Sequence, residues 1–294
     1  MRLSYSKLNT YRQCPLRYRF TYLDRLPRRP RRLFRAARRV HHALMRWLTY
    51  AKTGEPRWEE VRAAYDSAYG ALQDPSVMDT RDYAEGLQIL RDYHEVNVER
   101  PCQPVFLEHK FSVPLGPHVL IGALDRVDAT DSGFEVIDYK LDREIRTQEV
   151  VDADLQLGLY AIAMEEGHGI RPEALTLYFL RHNVQRTTVR TGEQNRELVQ
   201  WAVATGNDIS NDRKWTPCPG DHCNGCDFRP TCPVYTGAAL PPLDYPSARV
   251  AARTRVDAQM SLVLTEEPLQ QRRVPSPVAQ ALEDEGTQLS LPLT

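Results

Sequence analysis

Asp125, Asp138 and Lys140 are the residues whose types and spacing are best suited to chemistry. They lie in residues 121–140, IGALDRVDATDSGFEVIDYK, which reads as two short strands joined by the polar turn Thr130, Asp131, Ser132 and Gly133. Side chains alternate along a strand, so Asp138 and Lys140 share a face and Tyr139 points away. Asp125, on the preceding strand, reaches the same edge of the hairpin. Two carboxylates and a lysine in one small volume can hold a hard divalent ion beside a cation that orients or deprotonates water. Taken alone, an Asp-x-Lys strand suits a solvated surface equally well, and the rest of the chain decides between the two.

A helix spanning 151–166 follows the hairpin. On it Gln156 and Tyr160 stand four positions apart and share one face, where they can hydrogen-bond to water, a phosphate or the lysine. On an earlier helix His41 and His42 are neighbours and cannot both face one site, because adjacent positions differ by about 100°. The cysteines are the sharper signal. Cys223 and Cys226 form C-x-x-C, and Cys232 follows in HCNGCDFRPTCPVY. Three thiolates leave one position open on a four-coordinate centre. Cys14 could fill it and staple the two ends of the domain, with Cys218 and His222 as competitors nearer in sequence. Four thiolates suit zinc and an iron–sulfur cluster alike. Cys102 reads as an ordinary buried or free cysteine.

These residues need a scaffold. A short extended piece and a helix open the chain, with Ser6 as N-cap and Pro15 interrupting the helix or starting another. From Leu33 a long helix turns Val40, Leu44, Trp47 and Leu48 inward. Residues 58–69 and 80–98 read as two more helices, separated by a breaker around Pro75. Strands are expected at 106–115, 175–181 and 186–190, and a helix at 193–209. The expected fold is therefore α/β, a mixed sheet core flanked by helices, with a helical part at 34–100. From Gly237 prolines, alanines and charges dominate. Residues 237–294 are expected to be a mostly disordered tail with a short helix at 277–284.

Composition sets bounds. The 294 residues, 41% hydrophobic and 26% charged, suit one large or two small soluble domains. The net charge of -1 conceals a strongly basic stretch between Arg25 and Arg46, which can neutralise phosphates. No apolar run spans a bilayer and the N-terminal residues lack a signal-peptide core, so a cytoplasmic location with reduced thiols is expected. The sequence contains no G-x-x-x-x-G-K-[ST] loop, so any ATP-driven unwinding must come from another chain.

In order, SYSKLNTYRQCPLRYRF, VHHAL, GALDRVD, VIDYK, QLGLY and C-x-x-C-x5-C resemble the PD-(D/E)XK nuclease superfamily over residues 3–235. More narrowly they resemble its RecB/AddB-type branch, which carries an iron–sulfur cluster and includes CRISPR adaptation nucleases. The resemblance implies a restriction-endonuclease-like nuclease domain at 1–236 whose ends bind the cluster. It implies His41, Asp125, Asp138 and the carbonyl of Tyr139 as ligands of Mg²⁺ or Mn²⁺, and Lys140 as the catalytic lysine. Gln156 and Tyr160 match the QxxxY motif. Cys14, Cys223, Cys226 and Cys232 match the ligands of a cluster of 4Fe-4S type, leaving Cys218 aside. Arg126 and Asp128 become supporting residues. Ala37 replaces a frequent glycine and Leu141 a frequent threonine, departures that bear on substrate positioning.

The implied activity is metal-dependent hydrolysis of DNA phosphodiesters in recombination, repair or replication-linked processing. The alternatives are a CRISPR adaptation nuclease and a noncatalytic DNA-binding subunit of a helicase–nuclease complex. Tyr18, Tyr22 and the arginines between Arg25 and Arg39 are candidates for stacking on, and phosphate contact with, a DNA strand. The last residues include Gln288, Leu289, Leu291 and Leu293, in a QLSLPL segment that resembles peptides docking into the bacterial sliding clamp. DNA, that clamp and a helicase are thus the expected partners, with no membrane among them.

Overall fold

A computed structural model describes residues 1–28, 32–51, 57–70, 80–100 and 102–240. The short helix expected at 277–284 and the terminal peptide with Gln288, Leu289, Leu291 and Leu293 lie outside the described residues. Residues 1–238 form one compact unit.

The chain enters through a two-residue strand, β1 (Arg2–Leu3), and turns at once into α1 (Tyr5–Gln13). Ser4, not Ser6, caps this helix. Its backbone is extended, and its hydroxyl accepts the Lys7 N–H at 3.4 Å, so the helix starts as soon as the chain leaves the sheet. Cys14 then ends α1 and caps α2 (Pro15–Tyr18), with Pro15 at the first helical position where its missing N–H costs nothing. A π-turn, Arg19–Leu23, follows. Three helices come next, α3 (Arg32–Ala51), α4 (Trp58–Tyr69) and α5 (Arg81–Asn97).

The sheet is built from β1, β2 (Pro104–Leu115), β3 (His118–Ala129), β4 (Phe134–Lys140), β5 (Ala174–Phe179) and β6 (Val184–Thr188). Its order is β1-β3-β4-β5-β6, with β2 also on β3. β1 and β3 are parallel, as are β4 and β5, and the other pairs are antiparallel. This is the expected mixed sheet flanked by helices. The helix expected at 151–166 is instead two, α6 (Gln148–Asp152) and α7 (Leu155–His168). Asp154 makes the break, because its Oδ1 accepts the N–H groups of Gln156 and Leu157 at 2.8 and 3.0 Å. α8 (Gly192–Asn211) starts at a capping box of Thr191 and Gln194. Two 3₁₀ turns, Asp221–Gly225 and Arg229–Thr231, and α9 (Pro233–Thr236) complete the unit.

Alternation on β4 and β5 feeds two cores. Ile137, Tyr139 and Tyr178 pack with Val40, Leu44, Trp47, Leu48, Leu90 and Tyr93 of α3 and α5. Val136, Leu175, Leu177 and Phe179 pack on the opposite face with Leu157, Ala161 and Met164 of α7. Residues 157–164 of α7 are all buried, which suits a helix enclosed on nearly every side. The helical layer is tightest at Gly86, where an added Cβ would lie 2.2 Å from the Tyr65 hydroxyl. That ring is fully buried and its hydroxyl donates to the Tyr83 carbonyl at 3.1 Å, so it cannot move aside freely. Gly86→Ala is therefore expected to destabilise the protein by about 2 kcal/mol in chemical denaturation, despite alanine's higher helix propensity.

Candidate active site

The site occupies a fork between strands. β3 and β4 pair only between Arg126↔Ile137 and Ala129↔Phe134, and beyond that point β4 runs beside β5, with Asp138 opposite Leu177 and Lys140 opposite Phe179. Where the strands part, the side chain of Asp125 replaces the missing ladder partner: its Oδ2 accepts the Tyr139 N–H at 3.0 Å. Asp138 and Lys140 project together toward α7. The Tyr139 ring turns the other way, where its hydroxyl meets Arg126 at 3.0 Å and Tyr93 at 3.2 Å.

Asp138 is 2% exposed. Its Oδ1 accepts from Gln156 Nε2 at 3.1 Å and from Tyr160 Oη at 3.4 Å, and its Oδ2 lies 2.5 Å from Lys140 Nζ. Burial pushes its carboxyl up to about 6, against the pull of the Lys140 ammonium and with further help from the charge on Asp125. Burial also works against the charge of Lys140, yet Asp138 more than offsets this and holds the ammonium above its ordinary value. Gln156 ties the group together, since its Oε1 accepts from Lys140 Nζ at 2.8 Å and its amide also meets the Tyr160 hydroxyl at 2.7 Å. Burial, followed by the charge on Asp138, raises the Tyr160 hydroxyl, which stays protonated and able to donate. The break at Asp154 is what aims Gln156 and Tyr160 at the fork. Arg146 secures that corner by binding Asp154 and Asp142, each at 2.9 Å.

From the other face α3 delivers His41. Its Nε2 lies 3.2 Å from Asp125 Oδ2 and its Nδ1 lies 2.7 Å from Glu108 Oε1. Burial disfavours the imidazolium, but the hydrogen bond and charge of Asp125, then Glu108, raise its pKa above the usual value. His42 is exposed. Arg126 and Asp128 form a buried two-pronged pair beneath the fork, with Arg126 also bound to Tyr93 at 3.2 Å. Neither Glu108 nor Asp154 stood out in the sequence. Glu108 lies between the paired positions Leu107↔Arg126 and His109↔Leu124, where the β2–β3 register is unbroken, yet has a positive φ of 50°.

Tyr18 does not face a DNA strand. It is 2% exposed, and its ring stacks on Trp215 at 5.9 Å because α2 packs against the segment after α8. Tyr22 leans on Tyr18 at 4.8 Å.

Cys14, Cys223, Cys226 and Cys232 line one cavity, walled by Leu16, Phe20 and Phe228. Cys218 and His222 line it as well. Cys218 is exposed, and its N–H donates to Cys14 Sγ at 3.5 Å. Burial raises the Cys232 thiol; the Val234 backbone opposes this, and Cys14, Cys226 and Cys223 add to the rise. Cys102 is half-buried beside the α3–α5 core.

Among the described residues no three His, Cys, Asp or Glu side chains form a ready single-ion centre. In the fork Asp125 is engaged by His41 and Asp138 by Lys140. The donor set nevertheless fits a hard divalent ion. Asp138 Oδ2 is buried and faces the Lys140 ammonium without a further hydrogen bond, while Asp125 and an imidazole stand beside it.

Among the described residues no helix is long and apolar enough to cross a membrane. The chain is 24% identical over 271 residues to the Gene 69 protein of Mycobacterium phage D29, covering 79% of this chain and 96% of that protein. A solved structure named "Putative exonuclease", from Eubacterium rectale, is 12% identical with a TM-score of 0.48, over 82% of this chain and 90% of its own. The structure of SSO0001 is 15% identical with a TM-score of 0.35, over 69% of this chain and 96% of its own. A family model matches residues 2–233, and the fork, the mixed sheet and that match agree: this chain belongs to the PD-(D/E)XK nuclease superfamily.

Proposed function

We propose that the protein is a Mg²⁺- or Mn²⁺-dependent deoxyribonuclease of the RecB/AddB type, acting in recombination, repair or replication-linked DNA processing. The observation that carries this reading is the convergence of Asp125, Asp138 and Lys140 at the fork of β3 and β4. Asp125, Asp138, His41 and the Tyr139 carbonyl would hold the ion. Bound there, it would lower the pKa of a water and neutralise charge developing on the scissile phosphate. Lys140, held between Asp138 and Gln156, presents its ammonium to the same volume and orients the water or the phosphate. Gln156 fixes the lysine, and the protonated Tyr160 hydroxyl holds one oxygen of Asp138, while the other, which faces Lys140, would be shared with the ion. An intact carboxylate–lysine set argues against the noncatalytic subunit.

Cys14, Cys223, Cys226 and Cys232 would hold an iron–sulfur cluster with a structural role. The support is their common, apolar-walled cavity, which joins thiols from both ends of the unit. The sliding clamp, through the terminal leucines, and a helicase are proposed as partners of this activity.

The test is cleavage of labelled single-stranded and duplex DNA by anaerobically purified protein. Cutting is expected with Mg²⁺ or Mn²⁺ and should vanish with EDTA. Cutting that survives EDTA, or none from folded, cluster-loaded protein supplied with Mn²⁺, contradicts the reading.

A further inference from the structure

Glu108 carries two features that its strand does not require. It sits on β2 across from Asp125, between the paired positions Leu107↔Arg126 and His109↔Leu124, and its φ is 50°. An L-residue with a side chain is strained there, whereas glycine is not. Its half-exposed carboxylate reaches α3, where Oε1 lies 2.7 Å from His41 Nδ1. The imidazole is thereby held at both nitrogens, with Nε2 3.2 Å from Asp125 Oδ2. Strain that persists in a strand beside a polar cluster is a feature of functional sites.

We infer that Glu108 is a positioning residue for the divalent-cation site, acting through His41. A carboxylate on Nδ1 holds a ring proton there and fixes the ring plane, so that Nε2 is aimed at the fork. Ligating histidines are commonly oriented in this way, and loss of such a partner weakens metal affinity by about 10- to 100-fold. The inference rests on the proposed function, because it presumes that the fork binds a cation. It adds a residue that is not itself a ligand and whose backbone conformation works against its identity.

That opposition makes the test specific. Mn²⁺ binding would be followed by electron paramagnetic resonance on wild type, Glu108→Gly, Glu108→Gln and Asp138→Asn, alongside thermal unfolding without added metal. Glu108→Gly is expected to weaken Mn²⁺ binding by about 10- to 100-fold while unfolding at or above the wild-type temperature, since glycine relieves the positive φ. Glu108→Gln keeps an acceptor oxygen for Nδ1–H and is expected to lose less than about tenfold. Wild-type affinity in Glu108→Gly would overturn the inference. So would an equal loss in the glutamine variant, which would make the carboxylate a direct ligand. A lowered unfolding temperature for Glu108→Gly would overturn it too, by making the side chain a structural brace. If wild type binds Mn²⁺ and Asp138→Asn does not, these failures touch Glu108 alone. If wild type binds none, the proposed function fails and this inference with it.

Discussion

Lys140→Ala and Asp138→Asn are each expected to lower metal-dependent DNA cleavage by about 10³-fold or more, because the first removes the charge proposed to orient the water or phosphate and the second a proposed ligand of the ion. Their effects on stability should differ, and the difference follows from burial. Asp138 is almost fully enclosed and its carboxyl already sits near 6, so losing Lys140 lets it take up a proton and remain neutral. Lys140→Ala should therefore cost little stability at neutral pH. Asp138→Asn keeps the shape and one acceptor for Gln156 but leaves the ammonium without its counter-charge. With Lys140 at 15% side-chain exposure, some water reaches it, so the loss should be about 1–3 kcal/mol, below that of a fully buried orphan charge. Denaturant titration beside a cleavage assay reads both effects. Near-wild-type cleavage by either folded variant would move the site elsewhere.

Cys14→Ser and Cys226→Ser form the second large prediction: loss of the brown cluster absorbance and a fall of about 10 °C or more in unfolding temperature. The segment that carries three of the cysteines has little else to hold it. Its two 3₁₀ turns and α9 contain no buried residue, and its anchors are Phe228 against Phe20 at 5.5 Å and Trp215 among Tyr11 and Tyr18. Cys14 and Cys223 lie 209 positions apart (223 − 14), and closing a loop of that length by a cross-link removes roughly 5 kcal/mol of unfolded-state entropy. Cys218→Ser is the control. Both Cys14 and Cys218 line the cavity, but the buried Cys14 is the proposed ligand, so the Cys218 variant should keep its absorbance. Unchanged absorbance in Cys14→Ser, or its loss in Cys218→Ser, would reassign the fourth ligand.

Much of the fork was legible because strand alternation and helical spacing are local rules. Asp138 and Lys140 had to share a face, and Gln156 and Tyr160 had to share another. The inward face of α3 was legible for the same reason. What escaped depended on tertiary contacts or on one residue's backbone. Apolar periodicity ran through 151–166 and hid Asp154, whose side chain breaks the helix and aims Gln156. Glu108 had no sequence mark, since its part depends on a positive φ and on a histidine brought from another layer. Tyr18 read as exposed stacking surface because the Trp215 that covers it arrives from far along the chain. Ser4 outcompeted Ser6 because β1 is only two residues long, a length fixed by pairing with β3.

The central claim is that the fork binds the cation that hydrolysis needs. Anomalous X-ray scattering from crystals grown with Mn²⁺ tests it most directly. The account predicts one strong peak within ligand distance of the Asp125 and Asp138 carboxylates and His41, absent in Asp138→Asn crystals. A fork empty of Mn²⁺ in crystals of protein that cleaves DNA under the same conditions, with density on another carboxylate cluster, would contradict it.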